Sequence, residues 1–124
     1  MIEIKWCKEP KESNFVAALS YLTLRCGHKE AEQLVKKLRK AKVEEFAAKD
    51  ILRAAEMESL PANIEHVASN VKKMKNHDEV SPVLLCRIKD KPLIIADGTH
   101  RISAAWHLEE DTVVHALIAE LNEE

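Results

Sequence analysis

Apolar residues recur along this chain with two different periods, and the switches between them divide it into elements. From Phe15 the pattern is helical, with Phe15, Ala18, Leu19, Leu22 and Cys26 on one face. Ser13 or Asn14 can cap this helix, and Gly27 stops it. A second helix starts at His28 or Lys29 and turns Ala31, Leu34, Val35 and Leu38 inward. Helices joined this briefly are expected to pack antiparallel. Upstream, Ile2, Ile4 and Trp6 alternate with charged residues, as in a short edge strand. Val43 to Leu52 supports two readings. Phe46, Ala47, Ala48, Ile51 and Leu52 have helical spacing, but a short strand followed by a turn fits as well. Pro61 ends whatever precedes it. Asn63 suits the cap of a helix that runs to Lys75, with Ile64, Val67, Ala68, Val71 and Met74 inward.

Beyond Pro82 the pattern becomes that of strands. Val83 to Ile88 is almost continuously apolar, as in a strand buried on both faces. Asp90-Lys91-Pro92 is turn chemistry, and Leu93 to Ala96 returns as the second strand of an antiparallel hairpin. Thr99 to Leu108 is helical, and the β-branched Thr112 to Ala119 is the last strand. Strand, helix and strand predict a right-handed crossover beside the hairpin. The acidic tail is expected to fray. The expected fold is therefore α/β (α+β), a small mixed sheet with flanking helices behind an N-terminal helical pair. Residues 1–124 form one domain, with 1–42 a helical extension and 43–124 the core.

Charge narrows the function classes. A net charge of −2 argues against a general nucleic-acid binder. Lys36, Lys37, Arg39, Lys40 and Lys42 crowd the end of the second helix, where cations suit the macrodipole, and read as a solvated face. Cys7, Cys26 and Cys86 are widely spaced, with no C-x-x-C, and read as free thiols in a reducing cytoplasm. No apolar run is long enough to span a membrane, so no membrane partner is expected. The histidines form no H-x-x-x-H pair, and no metal site is expected.

Chemistry concentrates in Leu93 to Trp106. An apolar strand passes through Asp97-Gly98 into a helix, which leaves free amides converging on one spot that suits an anion. With Gly27 a helix stop, Gly98 is the one remaining glycine for a special turn. Thr99 can cap the helix, while His100 and Arg101 add donors. Asp97 would repel an anion unless it holds Mg²⁺, acts as a base, or pairs with Arg53 or Arg101. Asp97 and His100 are the catalytic candidates, and Glu56 and Glu58 are further options for a general base.

The segment Leu93-Ile94-Ile95-Ala96-Asp97-Gly98-Thr99-His100-Arg101, its small-residue helix and the strand Val113 to Ile118 resemble the core of the ParB/sulfiredoxin superfamily. Asp50-Ile51-Leu52-Arg53, the helix Ile64 to Lys75 and the strand Pro82 to Ile88 follow that family's order. The resemblance covers residues 45 to about 120 and leaves out the helical pair. It implies nucleotide binding at this turn, with CTP in ParB proteins, ATP in sulfiredoxins and ADP in a related serine kinase. By position, Gly98, Thr99, His100 and Arg101 would hold phosphate, with Arg53 as a second clamp and Mg²⁺ as companion. Three departures limit the transfer. Thr99 stands where sulfiredoxin has its catalytic cysteine, so sulfinic-acid reduction is not expected. No helix-turn-helix follows the core, so sequence-specific DNA binding is not expected. Thr-His-Arg replaces the Glu-Arg-Arg of ParB proteins, so a preference for CTP does not carry over. The expected function is nucleotide or phosphate binding, with phosphotransfer or hydrolysis as its enzymatic form. A non-catalytic regulatory or protein-interaction module and a nucleic-acid-processing protein are the alternatives.

Overall fold

The computed structural model describes residues 2–121. In chain order the elements are α1 (Glu12–Cys26), α2 (His28–Lys40), β1 (Glu44–Ala47), α3 (Ala48–Ala54), α4 (Glu65–Lys75), β2 (Val83–Ile88), β3 (Ile94–Asp97), α5 (Thr99–Leu108) and β4 (Val113–Leu121). The strands form one mixed sheet in the order β1-β4-β2-β3. β2 is central, parallel to β4 and antiparallel to β3, and β1 lies antiparallel on the far side of β4. The fold is α+β.

Side chains alternate across a strand, so β2 must supply two cores. Leu84 and Cys86 join Ile94, Ala96, Leu117 and Ala119 under the α1–α2 pair. Val83 and Leu85 join Ile95, Val114 and Ala116 under α3, α4 and α5. Helices cover both faces, which explains why β2 reads as a continuous apolar run. Burial pushes the Cys86 thiol up to about 12, with the nearby Cys26 adding to the shift. All three cysteines are free.

Several boundaries differ from the sequence reading. α1 begins at Glu12, and Asn14 sits in its first turn, where its side chain accepts the Lys11 amide at 2.9 Å. α4 is preceded by Ile64 rather than capped by Asn63, and Ala68 faces solvent. Val43 to Leu52 resolves into strand and helix in direct succession. The Ile2–Trp6 segment makes one parallel bridge, Trp6 to Val80, rather than a strand. The strand–helix–strand unit is not a simple parallel crossover. β4 skips past β3 to pair in parallel with β2, which leaves β3 at the edge of the sheet. Glu120 and Leu121 extend β4 instead of fraying, and Arg87 holds Glu120 at 2.7 Å. The remaining tail, 122–124, lies outside the described residues. No helix among those residues is long and apolar enough to cross a membrane.

Candidate functional site

Backbone constraint builds the corner between β3 and α5 before any side chain acts. Asp97 ends β3 opposite Leu84. Gly98 then takes φ +116° and ψ 15°, a left-handed conformation that side chains disfavour. A Cβ at this position would also lie 2.5 Å from Val83 Cγ1 and 2.7 Å from Val83 Cβ. Val83 is fully buried in the central strand and has nowhere to move. Glycine is needed here both for its dihedral freedom and for its size.

The tight corner delivers the chain straight into α5. The Gly98 carbonyl accepts the Ile102 amide at 2.9 Å, and no side chain caps the helix. Thr99 is the first helical residue, not the cap, because the left-handed glycine already occupies that position. The amides of Thr99, His100 and Arg101 precede the first intrahelical bond and lack an acceptor within the helix. A hydroxyl from Ser103, buried one turn on, accepts the Leu60 amide, and His107 Nε2 lies 2.7 Å from the Leu60 carbonyl oxygen. These contacts anchor α5 to the segment before α4.

The corner opens onto a cleft of about 460 Å³. Its walls come from the corner itself, from Tyr21 and Arg25 of α1, and from Met57 and Leu93. Arg25 donates to Tyr21 Oη at 2.8 Å and lies over the ring, 5.7 Å from its centroid. No carboxylate pairs with Arg25 among the described residues. The exposed His100 ring meets His66 of α4, with centroids 5.2 Å apart.

Asp97 resolves to one of its alternatives: its Oδ2 accepts from Arg101 Nη2 at 2.9 Å. The two side chains are only 20% and 15% exposed, so this is not a surface ion pair. Arg101 neutralises the one carboxylate at the cleft and is itself held by it. Its Nε is buried without an acceptor, which leaves a donor unmet.

Arg53 stands apart from this group. It is 80% exposed, lies 3.8 Å from Asp50 and lines no part of the cleft. A role as second phosphate clamp therefore loses its geometric basis, because α3 aims the side chain into solvent. Glu56 and Glu58 are exposed and line no part of the cleft either. Arg39, in the basic run of α2, is taken by Glu12 in a bidentate pair at 2.7 Å, which matches a structural surface role. Among the described residues no group of three or more His, Cys, Asp or Glu is placed to hold a metal.

Tyr21 and Arg25 were not legible as site residues. Their spacing says only that they lie on the outer side of α1, and their place beside the corner depends on how α1 packs on β3.

The charges at the ends of the helices make the corner distinctive. α1, α2, α3 and α4 each carry an acidic residue in the first turn and a basic one in the last. That arrangement stabilises the helix dipole. α5 has no acid in its first turn, which holds His100 and Arg101 instead. Comparison of the chain with protein-family models, curated proteins and solved structures found no match.

Proposed function

We propose that this chain is a nucleotide- or phosphate-binding protein with its anion site at the Gly98–Arg101 turn of a ParB/sulfiredoxin-like core. One observation carries the reading. The helix that starts at this turn is uncapped and free of acid, and it opens on a cleft at a position only glycine can fill. Amides at a helix start attract anions, and Arg25 and His100 add donors at the same cleft. Arg101 removes the repulsion that Asp97 would otherwise exert on a phosphate. Tyr21, Met57 and Leu93 offer an apolar wall for the body of a nucleotide. The free cysteines suit a cytoplasmic setting.

Within this reading a binding or regulatory role is favoured over phosphotransfer or hydrolysis. Asp97 is engaged by Arg101, and Glu56 and Glu58 lie outside the cleft, so His100 is the one acid–base candidate at hand. A thermal-shift panel of ATP, ADP, CTP and inorganic phosphate, with and without Mg²⁺, tests the proposal. A ligand at a hundredfold excess over Kd stabilises the fold by about 2.7 kcal/mol. No shift with any of the four at millimolar concentration would remove the nucleotide reading.

A further inference from the structure

The sheet has two edges, β1 and β3, and they are protected differently. β1 carries the exposed Glu44 and Glu45, charges that discourage a further strand. β3 carries Ile94, Ile95 and Ala96 and no charge before Asp97, which Arg101 neutralises. Alternate residues of an edge strand turn their N–H and C=O groups away from the sheet. Just before β3, the Leu93 amide donates to the Ala54 carbonyl at 2.9 Å. From Ile94 to Asp97 no backbone group has a hydrogen-bond partner outside the β2 ladder among the described residues. Ile94, Ile95 and Ala96 are 2%, 7% and 5% exposed, so the unmet groups belong to a buried strand, where a missing bond is costly.

The cleft at the β3–α5 corner runs along this edge, since every residue from Pro92 to His100 lines it. α1 and α3 pack on opposite faces of the sheet, and each supplies one wall. The α1 wall is the stripe Ala17, Tyr21 and Arg25, about 12 Å long at 1.5 Å per residue. It matches β3, whose four residues extend about 13 Å. Ala55 and Met57, which follow α3, form the other wall. Large apolar side chains stand exposed on both sides: Tyr21, with Leu24 beside it on α1, and Met57. Arg25 is exposed and pairs with no carboxylate among the described residues. The one carboxylate that lines the cleft, Asp97, is taken by Arg101. A second folded sheet cannot reach an edge recessed between two walls, but a single extended chain can.

We propose that β3 is the docking edge for an extended acidic peptide, which joins the sheet as a fifth strand. Its backbone meets the unmet groups of β3, and its side chains alternate between the two walls. One set packs on Met57 and Leu93. The other runs along α1, where Arg25 takes a carboxylate. The peptide shares the cleft with the anion site but does not rest on an anion at the corner amides.

The test titrates the full chain with the end-blocked hexapeptide Val-Glu-Val-Glu-Val-Glu and follows backbone ¹H–¹⁵N resonances. Saturable shifts are expected within Ile94–Asp97, with a Kd of about 1 mM or tighter. Two further peptides are N-methylated, one at the odd amides and one at the even. A strand offers only one of these sets to its neighbour, so one peptide should bind at least about tenfold more weakly and the other should keep its affinity. Arg25→Gln should weaken the parent peptide by about threefold, while a peptide with glutamine for glutamate binds both proteins alike. Unliganded melting curves confirm that this variant, at an exposed position, is folded. Equal effects of the two methylated peptides would show that the chain lies on the walls without joining the sheet, and would overturn the proposal. So would the absence of shifts in β3 at millimolar peptide, equal binding of the lysine counterpart, or unchanged affinity in Arg25→Gln. The peptide reads out at Ile94–Asp97 and ADP at the amides of Thr99 to Arg101, so this proposal and the nucleotide reading fail separately.

Discussion

The start of α5 differs from the starts of the other four helices, and the difference runs against the stability of the helix. Its first turn holds no acid but His100 and Arg101, the Asp97 before the turn is paired with Arg101, and Arg25 lines the adjoining cleft. Its last turn holds His107, as the dipole favours, so the departure is confined to the start. α1 to α4 obey the dipole rule at both ends. Departures from local stability concentrate where a protein does something else with the residues. The contrast between α5 and the other helices is what favours the proposed anion at its start.

The largest expected effect breaks the first end outright. Gly98→Val adds backbone strain of about 1–3 kcal/mol to overpacking of similar size against Val83, for a loss of about 4 kcal/mol in denaturant unfolding. Gly27→Val is the control. Gly27 also has a positive φ, but its added Cβ would meet only Glu30 Oε2, at 3.6 Å. It should lose about 1–3 kcal/mol, from strain alone. Equal losses would mean that the corner is no tighter than an ordinary helix stop.

α5 packs on one face of β2, and Cys86 reports on the core at the other face, under α1 and α2. Its thiol is held up to about 12 by burial, so the folded protein keeps a proton that the unfolded chain releases above the ordinary thiol value of 9.0. The stabilisation is complete below pH 9 and is lost as pH rises from 9 toward 12, by about 1.4 kcal/mol per pH unit. Cys86→Ala should remove this slope, leaving that of the other groups, as read by urea unfolding at pH 8.5 to 10.5. An unchanged slope would place the thiol in contact with solvent.

Arg101→Ala is expected to destabilise the fold by about 2 kcal/mol, because it strands a largely buried Asp97 carboxylate. Adding Asp97→Ala should restore part of that loss, since the double variant leaves no unpaired charge. This departs from a surface ion pair, for which about 0–1 kcal/mol would be expected. Additive losses in the double-mutant cycle would show that the two residues are not coupled.

The smallest effects separate stability from binding most cleanly. Thr99→Asp puts an acid in the first turn, and Glu109→Lys a cation beside the last. Each should stabilise α5 by about 0.3–1 kcal/mol. Thr99→Asp should weaken phosphate, and Glu109→Lys should leave it unchanged, as measured by titration calorimetry. Loss of stability in both variants would show that the native charges serve the helix after all.

Much of this arrangement was legible in the sequence where local chemistry decides it. The bounds of α5, the central place of β2 and the special role of Gly98 follow from periodicity and from the scarcity of glycine. The Ala47–Ala48 junction was not legible, because strand passes into helix with no turn residue between them. Nor was the burial of Arg101, which depends on the tertiary packing around its pair with Asp97 rather than on spacing. Arg25 beside the corner, and Trp6 stacked on His115, arise from contacts between distant segments that no local pattern encodes.

In the proposed site the free amides at the start of α5 hold an anion. Backbone ¹H–¹⁵N NMR during an ADP titration tests it most directly. Saturable shifts largest at Gly98, Thr99, His100 and Arg101 are expected, with inorganic phosphate moving the same amides and Arg25→Ala weakening ADP. Shifts scattered over the basic end of α2, or none at these four amides, would contradict it.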